Sequence, residues 1–287
     1  MFSAAFNKAS VGVATLTLVL ALSPFLANAQ TPHIKLIAPP ASTYAWATSL
    51  NHKGATVVGS FVDPAGALNG FSYNNGKYQT INFPGSLAFT RASSVNDSGT
   101  IVGDYLGSDT HNHGYLLTNG SYTQYDVIAG RSTYLYGINN AGSLAGIVGN
   151  DGATLAFVDV AGEVTTFSIG ANATSAFAIN SANTVVGSFI DPNLIYTHGY
   201  SRDASGNVVQ IDFPGSNITV CLGINDAGVI SGFYVDPLGA SHGFTLVGGK
   251  FRSSSLPDIN GINDAGTFVG SYPGTNGKNY GYISLSH

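Results

Sequence analysis

The sequence predicts an all-β protein: a six-bladed β-propeller of four-stranded antiparallel blades, with the last blade closed by the N-terminal strand. Three observations carry this expectation. One phrase returns along the chain, as "SVNDSGTIVGDYLGSDTHNHGY" from Ser94, "GINDAGVISGFYVDPLGASHGF" from Gly223 and "GINDAGTFVGSYPGTNGKNYGY" from Gly261. Its Asn residues, Asn51, Asn96, Asn139, Asn180, Asn225 and Asn263, lie 45, 43, 41, 45 and 38 residues apart, which is the spacing of propeller blades. The composition agrees, because 37 Gly and only 9% charged residues suit turn-rich sheet rather than helix.

From the N-terminus, residues 1–29 read as a secretory signal peptide. Lys8 is their only charge, "VGVATLTLVLALSPFLA" is the apolar run, and "ANA" precedes Gln30. Pro24 interrupts that run, and a spanning helix wants roughly 20 apolar residues. No membrane span is therefore expected after signal removal, and residues 30–287 are expected to form a single exported propeller domain. The net charge is −5, and there is no basic cluster, so no nucleic-acid partner is expected. Cys221 stands alone, which excludes an internal disulfide.

Each unit then reads as four short strands separated by Gly, Asn and Asp turns. A first strand such as "LGIN" ends at the repeat Asn. "DAG" or "DSG" follows as a turn, in which Asn and Asp bond to the backbone and Gly takes positive φ. The second strand, as in "ATVVGSFV", is apolar at both Val57 and Val58, so both of its faces are expected to be covered. A third strand opens with "HGF" or "HGY", and a fourth resembles "VVQIDFPG". The last unit stops at "GYISLSH" without a fourth strand, and "HIKLIAPPAST" from His33 matches the missing piece. The N-terminal strand is thus expected to complete the last blade and remove an open edge. A parallel β-helix is the alternative, but its coils are usually shorter than this period.

"GIND-x-G-x-x-x-G-x-Y", then "HGF" or "HGY", then "IDFPGS" resembles the bacterial extracellular repeat called the HAF family, over essentially the whole of residues 30–287. The His signature stands at His113-Gly114-Tyr115, His198-Gly199-Tyr200 and His242-Gly243-Phe244. Asn69-Gly70-Phe71, Leu155-Ala156-Phe157 and Tyr280-Gly281-Tyr282 fill the slot without His. The resemblance implies an exported bacterial protein and brings no catalytic residues.

Chemistry is sought first in the repeated polar residues. The three signature His residues belong to different blades, too far apart for a shared metal, and read as strand-start residues bonding a nearby loop. His111 and His113 with Asp109 form one local group of ligand types. Glu163 is the only Glu and falls in a turn, so the paired carboxylates of glycoside hydrolysis are not found. Asp63, Asp191 and Asp236 occupy one turn slot of three units, where they serve turn chemistry. No nucleophile elbow, zinc helix or phosphate loop appears.

The non-repeating connections between a fourth strand and the next first strand carry the candidate ligand-binding residues. These are Tyr44, Trp46, Phe89, Arg91, Arg131, Tyr134, Tyr136 and Phe177. Aromatic faces rimmed by polar groups suit a carbohydrate or a peptide. The competing reading is that they fill wedges between blades. The expectation is a non-enzymatic binding or surface-interaction module, secreted or periplasmic. The alternative is a hydrolase or lactonase holding calcium or another ion in the central channel on converging Asn, Asp or His side chains.

Overall fold

The computed structural model describes residues 33–150, 153–170, 173–193 and 195–285. The expected signal peptide lies outside the described residues. Within them, no helix is long and apolar enough to cross a membrane.

The described chain is all β. β1 (Ile34–Ile37) stands first. The first unit then comprises β2 (Tyr44–Leu50), β3 (Thr56–Val62), β4 (Leu68–Asn74) and β5 (Lys77–Ile81). The second comprises β6 (Thr90–Val95), β7 (Ile101–Leu106), β8 (Asn112–Thr118) and β9 (Ser121–Tyr125). The third comprises β10 (Ser132–Ile138), β11 (Leu144–Asn150), β12 (Ala153–Val160) and β13 (Glu163–Phe167). The fourth comprises β14 (Thr174–Ile179), β15 (Val185–Ile190), β16 (Thr197–Arg202) and β17 (Val208–Ile211). The fifth comprises β18 (Ile218–Ile224), β19 (Ile230–Val235), β20 (Ser241–Val247) and β21 (Lys250–Ser253). β22 (Gly261–Ile262), β23 (Phe268–Pro273) and β24 (Asn279–Ser284) end the chain.

Each unit is an antiparallel meander in chain order, and a single parallel bridge, Thr197 to Ile218, joins the fourth unit to the fifth. β1 pairs antiparallel with β24, from Ile34 opposite Ser284 to Ile37 opposite Gly281, so the two ends of the chain share one four-stranded sheet. Each unit packs on the next, and β2 also packs on β22, β23 and β24.

The core is a set of wedges between units rather than one central mass. Val57 and Val58 show why. They are adjacent in β3 and both buried, but Val57 belongs to a cluster with Ala47, Phe71 and Val269, and Val58 to one with Ala92, Val95 and Tyr115. Ile101 and Val102 are divided in the same way, as are Leu144 and Ala145. A strand whose alternate side chains enter two wedges must be apolar on both faces, as its sequence is.

The repeat Asn residues fasten the first turn of every unit. In all six, the Asn Oδ1 accepts the backbone N–H of the residue four or five positions on, from Thr56, Thr100, Ser143, Thr184, Val229 and Thr267, at 2.8–3.0 Å. Their amides do a second job. Asn96, Asn139, Asn180 and Asn225 each donate from Nδ2 to the carbonyl of the next unit's Asn, at 2.9–3.2 Å. The Asp residues that follow depart from the expected turn role. Asp97 accepts the N–H of Lys53, Asp226 that of Ser181, and Asp264 that of Asp226. These carboxylates tie one unit to its neighbour, because backbone donors left over at one turn face the next turn's side chain. Gly99, Gly142, Gly228 and Gly266 hold positive φ there, and Asn183 takes that role in the fourth unit at φ 57°.

Five first strands share one irregularity. Register shifts lie between Ala47 and Ser49, Ala92 and Ser94, Leu135 and Gly137, Ala176 and Ala178, and Cys221 and Gly223. Each is a β-bulge, which re-aims the extra residue. The residues so displaced are Thr48, Ser93, Tyr136, Phe177 and Leu222, each three positions before a repeat Asn. Asn260 holds that position before Asn263 in the last unit.

Candidate functional site

The five displaced residues and Asn260 meet. Thr48, Ser93, Tyr136, Phe177, Leu222 and Asn260 line a cavity of about 320 Å³ together with Trp46, Ser60, Arg91 and Ala92. The same six also line a smaller cavity of about 50 Å³ that reaches His52 and the ends of the first strands. The larger volume falls at the low end of the roughly 300–1,000 Å³ usual for small-molecule sites.

Four of the eight sequence candidates, Trp46, Arg91, Tyr136 and Phe177, line the larger cavity. They sit on first strands rather than in connections, because those strands begin earlier than their turn-like sequences suggest. Three others support them. Tyr44 is exposed and stands edge-on to Trp46 at 5.6 Å between ring centres. Phe89 lies under the Arg91 guanidinium at 4.8 Å. Tyr134 stacks on Tyr136 at 6.3 Å and receives a 2.8 Å hydrogen bond from Asn112 Nδ2. Arg131 is exposed and does not line the cavity.

Among the described residues, the one charged group on the wall is Arg91. It donates from Nε and Nη2 to Asp104 Oδ2, at 3.2 and 2.6 Å. Asp104 is fully buried behind it on β7, and its Oδ1 has no hydrogen-bond partner. Burial pushes the Asp104 carboxyl up to about 6, against the pull of Arg91. Burial opposes the Arg91 charge as well, but Asp104 outweighs it and holds the guanidinium above its ordinary value. Burial likewise raises Tyr136, with Asp104 adding to the effect, so that phenol stays neutral. Ser60 Oγ is a second buried polar atom without a partner, directly opposite Trp46 in the β2–β3 pairing. Asn260 donates from Nδ2 to the Ala47 carbonyl at 2.9 Å and so holds the last unit to the first.

Sequence reasoning missed Thr48, Ser60, Ser93, Leu222 and Asn260. All but Ser60 could have been found by aligning the units on their Asn and reading the position three before it.

The signature His residues lie elsewhere, at the starts of third strands. His198 Nδ1 is 2.8 Å from Asp212, and His242 Nε2 is 2.9 Å from Asp236. His113 lies between Asp109 and Asp126 at 3.0 and 2.9 Å. The hydrogen bond to His113 lowers Asp109 to about 2. Burial works against the His113 charge, but the two carboxylates overcome it and raise the imidazole. These are local ties between a strand start and a neighbouring loop. Asp63, Asp191 and Asp236 each accept two backbone N–H groups of their own turn. Glu163 is exposed on β13. Among the described residues, one group has ligand atoms close enough for a metal, His52 with Asp226 and Asp264. Its carboxylates are already used by Ser181, by the Asp226 N–H and by His52.

No protein-family model matches the chain, and neither does any curated protein sequence. Solved structures do share its fold. A TolB from Acinetobacter baumannii superposes at TM-score 0.61 and 12% identity over 82% of this chain, which spans 65% of that one. The SapL1 lectin, in complex with alpha methyl fucoside, gives 0.57 and 14% over 85% of this chain and 94% of that one. A putative gluconolactonase gives 0.54 and 13% over 89% and 94%. At these identities the likeness concerns fold alone, and that fold is the β-propeller.

Proposed function

We propose that this chain is an exported binding module of the HAF-repeat type, non-enzymatic, which takes a carbohydrate or a peptide in the cavity lined by Trp46, Arg91, Tyr136 and Phe177. In this reading the six units are the blades of a six-bladed propeller, the sheet shared by β1 and β24 is its composite blade, and the protein works in the periplasm or outside the cell. The observation that carries it is convergence. Each of the six first strands, or the residue just before it, delivers at least one side chain to a single cavity, and those side chains differ while the surrounding repeat does not. Aromatic walls with a few polar groups are the usual make-up of a small-ligand site. The likeness to a fucoside-binding lectin supports the class without fixing the ligand.

The alternative, a hydrolase or lactonase with calcium or another ion in the channel, calls for several Asn, Asp or His side chains on the axis. Of those types only Asn260 and His52 line the two cavities, and no carboxylate does, so the binding reading is preferred.

The test is a glycan and peptide panel against the full chain, with Trp46→Ala beside it. A bound ligand whose affinity falls roughly 10- to 100-fold in Trp46→Ala, at unchanged melting temperature, supports the reading. A panel without any binder, or a binder indifferent to Trp46, overturns it.

A further inference from the structure

The wall of the larger cavity is asymmetric in charge. Arg91 reaches it with a third of its side chain exposed, while Asp104 stands behind, fully buried. Among the described residues, no carboxylate lines the cavity. A ligand therefore meets the cation first. Arg91 spends Nε and Nη2 on one oxygen of Asp104 and, among the described residues, makes no side-chain hydrogen bond through Nη1. Phe89 and Tyr134 hold the guanidinium by its faces, at 4.8 and 5.9 Å. The same wall carries Trp46 and also Ser60, whose buried hydroxyl has no hydrogen-bond partner among the described residues. Arg91 thus brings the one ionised group to an aromatic wall, with a donor nitrogen to spare. A planar acceptor pair matches a guanidinium edge best, and a carboxylate is that group.

We propose that the cavity takes a saccharide bearing a carboxylate, with the carboxylate on Arg91 and the sugar ring against Trp46 and Tyr136; this rests on the binding-module reading above. The ligand carboxylate competes with Asp104 for Arg91. Asp104, half-satisfied and without water contact, takes up a proton from solvent as the ligand binds, so the cavity keeps its net charge. The ionisable groups that feel this pair are Tyr115 from β8 and Tyr134 and Tyr136 from β10. β2 and β3 bring Trp46, Thr48 and Ser60 to the wall and nothing ionisable. Asp258, at the position in the last unit that Arg91 holds in the second, is bound to Ser271 and does not line the cavity. With Asp104 raised to about 6, its protonation falls in a range where a sugar carboxylate, with an ordinary value near 3.5, stays charged.

The experiment is titration calorimetry of the full chain with methyl glucuronide, methyl glucoside and an acidic dipeptide, at roughly pH 5.5 and 7.5. The glucuronide is expected to bind at least about tenfold more tightly than the glucoside, more tightly at the lower pH, and with proton uptake seen as a dependence on buffer ionisation heat. Asp104→Asn is expected to keep glucuronide binding and lose the uptake. Arg91→Gln alone leaves Asp104 without its cation and can fail to fold. The Arg91→Gln/Asp104→Asn pair, neutral and of similar shape, keeps the test readable and is expected to lose the preference for the glucuronide. If both glycosides bind alike and both need Trp46, the carboxylate reading falls and the sugar-binding reading stands. If the dipeptide binds and neither glycoside does, the saccharide is wrong and the module reading stands. If none of the three binds, both readings fall.

Discussion

The two ends of the first strands are built on opposite principles. At one end the same Asn stands in every unit, and in four of them its amide crosses to the next unit's turn. A few residues away, the position three before that Asn reads Thr48, Ser93, Tyr136, Phe177, Leu222 and Asn260, and no residue type occurs twice. The position five before it reads Trp46, Arg91, Tyr134, Ser175, Val220 and Asp258, again all different. Residues that repeat hold the units together. Residues that do not repeat give the cavity its chemistry.

That contrast breaks first at the turn end. Asn139 is fully buried and makes bonds to Asn180, Asn183, Ala141 and Ser143. Asn139→Ala leaves several of these partners buried and unpaired, so a loss of about 4 kcal/mol is expected in urea unfolding. A smaller loss comes from the second strand. A Cβ on Gly103 would run into the backbone carbonyl of Arg91, opposite the bulge. Gly103→Ala is expected to cost about 3 kcal/mol, read in the same assay. A loss below about 0.5 kcal/mol in either variant would mean that the repeat residues are not what fastens the units.

The cavity end works in the other sense. The Asp104 carboxyl is raised in the folded chain, so between its ordinary value and about 6 the folded state binds more protons than the unfolded one. Stability then falls as pH rises through that window and levels off above it. The expected drop is about 2 kcal/mol between roughly pH 4.5 and 6.5, checked by urea midpoints across that range. Asp104→Asn should flatten that slope, leaving the part that the raised Asp258 carboxyl contributes. A wild-type profile that rises with pH instead would place the charge of this pair at ease rather than under strain.

Much of the scaffold was legible because its signals are local. The Asn-to-Gly turn, the doubly apolar "VV" of β3 and the match between His33–Thr43 and other fourth strands each lie within a few residues. The bond from Asp97 to Lys53 was not legible, since it joins turns 44 positions apart. Nor were the bulges. A strand with one extra residue reads in sequence like a strand with an irregular pattern, and only pairing with β3, β7, β11, β15 or β19 reveals the shift. Trp46, Arg91, Tyr136 and Phe177 were found because they are large or charged. Ser60, Thr48 and Ser93 look like surface residues until the neighbouring units enclose them. Arg131 was over-read for the complementary reason: it has the right chemistry three residues too early, before β10 begins.

The bulge has a consequence for how such a chain can diversify. A one-residue slip gives each of five units a side chain that stands outside the buried wedge clusters. Each of these positions is therefore a letter that can be rewritten without respelling the word around it. Five bulged units offer five such letters around one cavity, and a duplicated bulged unit brings its own blank with it. New specificities can arise by point substitution at these places, one unit at a time, with least risk to folding where the side chain, unlike Thr48 bonded to Ala92, ties no neighbouring unit.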